Sequence, residues 1–388
     1  MRNRQIHRQQ PEHKQQVQQK IHKQRREQLD LQEYRNKRMP VWALILIDIL
    51  LTVIGLGAFS FYQLMIPRSI QHAATVLASP EISGDTFRLP DTSKEEALSK
   101  EKTPVQEKAR STPQKSEAGK GNYSNTGTMD IASDTSDQSI LSTDRIVTEV
   151  NHYKDPEVEF ATQKIEVGSG SEKITYYVSD VYVTNVKYIK TAFAKGKYGK
   201  NYRDRTAAMA KENSALLAIS GDYYGNGETG IVIRNGVLYR SDGNDADICV
   251  LYTDGTMKTY SPEEFAAEDV IKKSVWQAWT FGPQLLDGEG NILSSFNTTP
   301  FLNSINPRCA IGSVEPGHYV FLVVDGRNEG YSRGVSLSEL AQLMKDTGCK
   351  VAYNLDGGKS AGMVYNGDYV NQPCEGGRAI SDIIYIGE

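Results

Sequence analysis

Acidic, basic and glycine-rich residues recur in six short clusters: Ser220-Gly221-Asp222-Tyr223-Tyr224, Phe281-Gly282-Pro283, Asn306-Pro307-Arg308, Asp325-Gly326-Arg327, Asn354-Leu355-Asp356-Gly357-Gly358-Lys359-Ser360 and Gly377-Arg378. Each follows or precedes an apolar run, so a sheet would present them as loops along one edge, where sites are commonly carried. Arg forks, and the backbone N–H groups that glycines leave accessible, hold anions. Carboxylates supply the acid and base that break a glycosidic bond. Together these residue types suggest a phosphorylated or polyanionic sugar. Asp-Gly is also an ordinary turn dipeptide, and Asp254-Gly255 and Asp287-Gly288 are read as turns. Asp356 differs, because Asn354, Gly357, Gly358 and Ser360 crowd around it directly after the strand-like KVAYNL. Arg308 and Arg378, taken singly, also fit surface ion pairs, and Trp276 and Trp279 fit core packing better than sugar stacking.

Other chemistries fail on spacing. Gly358-Lys359-Ser360-Ala361-Gly362 spells G-x-S-x-G, but a hairpin follows it and no His lies beyond His318, so the nucleophile-elbow hydrolases are excluded. The same GGKS is no phosphate loop, because Tyr353 stands where the first Gly belongs. His152 and His318 cannot build a multi-His zinc site, and His318 reads as a turn residue. Cys249, Cys309, Cys349 and Cys374 lack C-x-x-C spacing. Outside the cell they are free to pair, Cys349 with Cys374 being one speculative pairing.

The elements that must position the clusters lie between about 146 and 388. ITYYVSDVYV alternates as a strand, RTAAMAKENSALL is helical and leads into the strand-like LLAIS, and VFLVVDG and IIYIG read as buried strands. IVIRNGVLYR and CVLYTDGTMKTY are hairpins turning at Asn235-Gly236 and Asp254-Gly255, and a further hairpin turns at Tyr365-Asn366-Gly367-Asp368. Capping boxes start helices at Ser261 with Glu264 and at Ser336 with Glu339, the second stopped by Gly348. Strands outnumber helices without regular β-α-β alternation. The expected class is α+β: a single strand-rich head with a few helices packed on the sheet, preceded by one transmembrane helix and a disordered tether.

The 388-residue chain carries a formal charge of -4, but residues 1–40 hold eleven Lys/Arg against four Asp/Glu, which leaves +7 there and -11 for the rest. With 24% charged residues and a mean hydropathy of -0.48, a multi-span membrane protein is excluded. Neither half is patterned for nucleic acid. Residues 41–66 contain one charge, Asp48, and at about 1.5 Å per residue exceed the roughly 30 Å hydrocarbon core. The expectation is a basic cytoplasmic tail (1–40), a signal anchor (41–66), a flexible extracellular linker (67–145) and an extracellular catalytic domain (146–388) on a single-pass cell-membrane protein. The linker, rich in Ser, Thr, Lys, Glu, Gly and Pro, would span roughly 50 Å as a coil.

In order along 218–386, AISGDYY, TFGPQLL, NPRCAIG, VFLVVDGR, GVSLSELAQLMKDTG, YNLDGGKSAGM and GGRAISDIIYI resemble the phosphodiester glycosidase family. The resemblance implies hydrolysis of the bond between a sugar's anomeric carbon and a phosphodiester, the substrate being a sugar-phosphodiester or cell-surface glycopolymer of N-acetylhexosamine-1-phosphate type. It implies that Asp222, Asp356 and Asp325 are catalytic, and that Arg308, Arg327, Asn354, Gly357, Gly358, Ser360 and Arg378 bind substrate or phosphate. In that scheme Arg308, Arg378 and the Gly357 and Gly358 amides hold the phosphodiester, while Asp356 and Asp222 share the acid, base or nucleophile roles. Cys309 and Lys359 depart from the family pattern, and Lys359 would narrow the pocket or add charge. No cofactor is expected; a divalent cation beside the clustered Asp and Asn is allowed but not demanded. The alternative is a non-catalytic glycopolymer-binding or assembly protein of the cell envelope. A phosphomonoesterase ranks last, having no metal or Cys/His nucleophile signature.

Overall fold

The computed structural model describes residues 18–30, 32, 40–70, 75–77, 86–90, 145–268 and 272–387. The chain forms two compact units, Met1–Ile66 and Pro67–Glu388. Among its described residues the first is helical over 18–30 and over Val41–Met65, and the latter, 25 residues with no buried side chain, is long and apolar enough to cross a membrane by length and composition.

The second unit is built of antiparallel sheets. Numbering strands along the chain, one six-stranded sheet runs β16 (Val351–Leu355), β14 (Arg308–Glu315), β15 (His318–Val324), β5 (Ile174–Val183), β4 (Val158–Val167) and β3 (Ile146–Lys154). A five-stranded sheet runs β18 (Asp368–Tyr369), β17 (Met363–Tyr365), β8 (Leu217–Ser220), β19 (Asp382–Ile386) and β6 (Ile189–Phe193). The other six-stranded sheet runs β12 (Met257–Tyr260), β11 (Ile248–Tyr252), β13 (Val275–Thr280), β9 (Val232–Arg234), β10 (Val237–Arg240) and β2 (Thr75–Val76). One core joins the three, with Phe160, Tyr177 and Phe321 meeting Ile219, Met363 and Ile384 and then Leu251, Trp276 and Trp279. Both tryptophans are core residues, and Trp276 donates its indole N–H to the Ile189 carbonyl at 2.8 Å. Alternation along β4 and β5 leaves the other face of their sheet to the helix Leu337–Asp346, whose Leu340, Leu343 and Met344 pack on Val320, Leu322 and Ala352. The Ser336–Glu339 capping box starts that helix as expected, and Gly348 with φ +82° follows its end. The helix expected after Ser261 is a single turn over 262–264, with Glu264 accepting from the Ser261 N–H at 3.1 Å.

Strand register brings the clusters together. Arg308 pairs with Val324 and Cys309 with Leu355, so the start of β14 shares an edge with the ends of β15 and β16. Ser220 pairs with Ile383, and Thr280 with Ile248, at the same end of the other sheets.

The span expected to be a free linker is docked wherever it is described. β1 (Arg68–Ser69) pairs with β7 (Gly199–Lys200), β2 adds to β10, and the Phe87 N–H donates to the Thr184 carbonyl at 2.8 Å. Phe87 seats on two turns whose glycines leave room for it: a Cβ on Gly255 or on Gly317 would come within 2.4 Å of its side chain. Residues 91–144 lie outside the described residues. Phe87→Ala should lower the stability of the full chain by about 2 kcal/mol, a half-buried share of the usual Phe truncation cost, measured by thermal unfolding in detergent. An unchanged melt would show that this segment contributes nothing to the fold.

Candidate active site

A pocket of about 280 Å³ opens where the strand ends meet, and Arg308, Arg327, Asn354, Asp356, Gly357, Gly358, Lys359 and Arg378 are among its lining residues. Seven of the ten expected site residues thus face one space. Asp356 follows β16 directly and is 4% exposed, its backbone N–H donating to the Gly221 carbonyl at 3.1 Å. A single nitrogen, Arg378 Nη2, bridges both Asp356 oxygens at 2.8 and 2.9 Å, while Arg378 Nε donates to Ser360 Oγ at 2.5 Å. Burial raises the Asp356 carboxyl above the ordinary aspartate value, against the pull of Arg378 and the Ser360 hydroxyl. Tyr223 braces this pair from outside. Its ring lies 4.8 Å from the Arg378 guanidinium, and its backbone is left-handed at φ 65°, a conformation that bulky residues hold only where surroundings impose it.

The cations opposite are of a different kind. Arg308 is 3% exposed and donates from Nε to the Val335 carbonyl at 3.0 Å and from Nη2 to the Ser304 carbonyl at 2.5 Å. Its pKa is lowered to about 10, first by burial and then by the neighbouring Arg327. Arg327, left-handed at φ 58°, donates to Asn306 Oδ1 at 2.6 Å. Among the described residues neither guanidinium forms an ion pair, so two positive charges are held together by neutral acceptors. That arrangement favours an anion between them. Asn354 donates to the Gly282 carbonyl at 2.7 Å, leaving its buried Oδ1 with no protein donor among the described residues. Lys359, one of the departures, is in the lining, and its Nζ pairs with Glu375.

Three expected residues fall elsewhere. Asp222 lies outside the pocket lining, buried, one oxygen accepting the Tyr224 N–H at 3.1 Å and ion-paired with Arg234 Nη2 at 2.8 Å, the other accepting the Thr280 N–H at 2.9 Å. Its carboxylate is held by two backbone N–H groups and the Arg234 guanidinium, and its charge acts on the neighbouring Asp356. Asp325 turns inward and accepts from Tyr331 Oη at 2.9 Å, Asn371 Nδ2 at 2.7 Å and the Gln372 N–H at 2.9 Å, which fixes the return loop. Ser360 acts through Arg378 and lies behind the lining. The expected amide pair is also halved, because the Gly358 N–H is committed to the Pro307 carbonyl at 2.9 Å. All four cysteines are free thiols, Cys349 and Cys374 included. No three His, Cys, Asp or Glu side chains gather at metal-ligand range among the described residues.

Beneath the pocket lies a feature the motifs did not announce. Arg234, 1% exposed, joins Asp222 to Asp382, donating from Nε to Asp382 Oδ2 at 3.0 Å. Asp382 is pushed up to about 7 by burial, with Arg234 pulling the other way. An Arg inside the strand-like IVIRNG and an Asp inside AISDIIYI were the available signal: charges at positions that alternation assigns to the interior.

Asp325 is pushed up to about 6, chiefly by burial. A raised folded-state value means that the native chain binds the proton more tightly than the unfolded one. The contribution of Asp325 to stability is therefore greatest near pH 4 and falls as pH rises towards 6, by about 3 kcal/mol in all. Denaturant titrations from pH 4 to 7 should show that slope, and Asp325→Asn should remove it.

Residues 213–387 match the family model described as phosphodiester glycosidase. An uncharacterized protein of Bacillus subtilis (strain 168), YomE, derived from the SPbeta prophage, is 33% identical over 196 residues, covering 49% of this chain and 30% of that protein. N-acetylglucosamine-1-phosphodiester alpha-N-acetylglucosaminidase of Bos taurus is 41% identical over 81 residues, 21% of this chain and 15% of that protein. The chain thus spans less than a third of the length of these relatives. The catalytic domain of the zebrafish enzyme of that name, solved as auto-inhibited by its pro-peptide, superposes with a TM-score of 0.50 at 22% identity, covering 63% of this chain and 88% of that one. That likeness concerns the fold. Through its residues 213–387, this chain is similar to the phosphodiester glycosidase family.

Proposed function

We propose that the head is a hydrolase that breaks the bond between a sugar's anomeric carbon and a phosphodiester, releasing free sugar and a phosphomonoester. The observation that carries this reading is the make-up of the pocket: one carboxylate, Asp356, among Arg308, Arg327, Lys359 and Arg378. Ordinary glycosidases use two carboxyl groups because an alkoxide leaving group must be protonated. A phosphomonoester is a far better leaving group, its second pKa lying near about 6. Positive charge stabilises it as the C1–O bond breaks, and no second acid is required. Asp356 takes the proton from the attacking water, the water oxygen bonds to C1, and the electron pair of the C1–O bond leaves on the phosphate. The buried Asn354 Oδ1 is placed to accept from a sugar hydroxyl or amide.

N-acetylglucosamine, or a similar N-acetylhexosamine, is the proposed sugar, supported by the names of the mammalian relatives. The proposed setting is a cell-surface glycopolymer, with Val41–Met65 as a single-pass anchor, the basic tail inside and the head outside. No cofactor enters this scheme, the arginines supplying the positive charge. The full chain in detergent, given N-acetylglucosamine-1-phosphate diesters, should release reducing sugar without inorganic phosphate, at a rate unchanged by a chelator. Loss of rate on chelation would replace the arginine scheme with a metal-assisted one. Absence of sugar release, with glycopolymer binding retained in Asp356→Asn, would establish the non-catalytic binder instead.

A further inference from the structure

The pocket is cationic inside and apolar on one lip. Phe281, Phe301 and Leu302 line the same space as Arg308, Arg327 and Arg378. Phe301 is 71% exposed and Ile305, four residues on, 49%. Among the described residues of the second unit, the other exposed large apolar side chains are Val76 on docked β2 and Ile146, Val147 and Val150 on edge strand β3. Two of these six therefore stand within five residues of each other, Phe301 in the pocket lining and Ile305 just before the lining residues Asn306, Pro307 and Arg308.

The lip and the anion-binding groups are one construction. Thr299 Oγ1 caps the short helix Pro300–Asn303 by accepting the Leu302 N–H at 3.4 Å, and the Ser304 hydroxyl donates to the Phe301 carbonyl at 2.7 Å. Asn306 Nδ2 donates to the Ser304 carbonyl at 3.0 Å while its Oδ1 accepts from Arg327 at 2.6 Å. Arg308 also donates to that Ser304 carbonyl, at 2.5 Å. The carbonyl that holds the buried guanidinium thus belongs to the segment that displays Phe301. A ring left in water beside paired cations suits a ligand whose phosphate continues into a hydrocarbon.

We infer that the alcohol esterified to the sugar phosphate is a lipid: the substrate is a sugar-1-phosphate diester of a long-chain apolar alcohol, its phosphate on Arg308 and Arg327 and the first carbons of its chain on Phe301 and Ile305. The inference rests on the phosphodiester reading of this pocket. A chain with a membrane-crossing candidate, Val41–Met65, would meet such a substrate in a bilayer.

The test compares N-acetylglucosamine-1-phosphate esterified to methanol and to geraniol, with the full chain in detergent and free sugar as the readout. The geranyl ester should have a kcat/KM about tenfold above the methyl ester, the contribution of one well-covered aromatic side chain. In Phe301→Ser, and independently in Ile305→Ser, that ratio should fall towards one. Partition of the geranyl ester into detergent acts equally on wild type and variants, so the change in ratio reports the protein. A wild-type ratio near one, with both esters turned over, overturns the lipid inference and leaves the phosphodiester reading standing. A ratio unchanged in both variants also overturns it, and equal losses on both esters in Phe301→Ser would assign the ring to the sugar. No free sugar from either ester overturns the phosphodiester reading and this inference with it.

Discussion

Asp356→Asn should reduce sugar release by about a thousandfold, within the range that a positioned general base supplies. The side chain keeps its shape and loses its basicity, and among the described residues no other carboxylate lines the pocket to replace it. The loss should fall mainly on kcat, with a smaller change in KM from freeing Arg378, which now bridges both Asp356 oxygens. In the wild type the rate should drop on the acid side through a midpoint above that of an ordinary aspartate, because burial raises this carboxyl and the base must be ionised to act. A rate profile over pH, run with a thermal melt of the variant to confirm folding, checks both parts. Full activity in Asp356→Asn would remove the residue from the mechanism.

The second large effect is on stability. Arg234→Met should cost about 3–5 kcal/mol, the range found when one partner of a buried ion network is removed. Asp222 and Asp382 would then share an interior with no cation between them, Asp222 at 2% and Asp382 at 0% exposure. That is a large part of the roughly 5–15 kcal/mol that holds a typical domain folded. Asp382, already pushed up to about 7 by burial, would hold its proton more tightly still. The variant should therefore lose stability as pH rises through neutrality, and adding Asp382→Asn should recover part of the loss. Denaturant curves for the single and double variants at pH 5 and 8 measure this. A single variant within about 0.5 kcal/mol of wild type, the range of unremarkable surface changes, would show that the network carries no weight.

Arg234 also sets the surroundings of Asp222 apart from those of Asp356. Sequence places Asp222 in a loop after the strand-like LLAIS, beside glycine and tyrosines, as it does Asp356 after KVAYNL. What separates them is the partner. Asp222 meets Arg234 from β9, twelve positions away in sequence, and the Thr280 N–H from the end of β13, whereas Asp356 meets Arg378 at the pocket wall. Asp325 and Arg327 divide in the same way, the carboxylate turning in to Asn371 and Tyr331 and the guanidinium out to Asn306. Loop composition announces a pair of charges; only packing assigns each to core or pocket.

Local order was legible because its causes are local. The Ile174–Val183 strand, the Asn235-Gly236 turn and the Ser336–Glu339 capping box each depend on alternation, left-handed backbone or a reach of three residues. So was the division of charge about an apolar stretch, which depends only on composition. The Ser261 capping box gave less than expected: its hydrogen bond formed, but residues 262–264 make a turn, and helix is described only at 267–268. Nothing in the Ser- and Thr-rich span from 67 announced that Val76 would pair with Val237 or that Phe87 would seat on Gly255 and Gly317. Those contacts join residues far apart in the chain and need surfaces that exist only once the sheets are assembled. The amino-acid sequence by itself determined the strands, the turns, the membrane-crossing candidate and the residue types available for phosphodiester chemistry. Tertiary structure alone decided that, among the described residues, Asp356 is the one carboxylate lining the pocket, that Arg308 and Arg327 face it without ion-pair partners, and that Phe301 stands at its mouth. Burial, desolvation and pairing are properties of neighbours in space, and strand register is what chooses those neighbours.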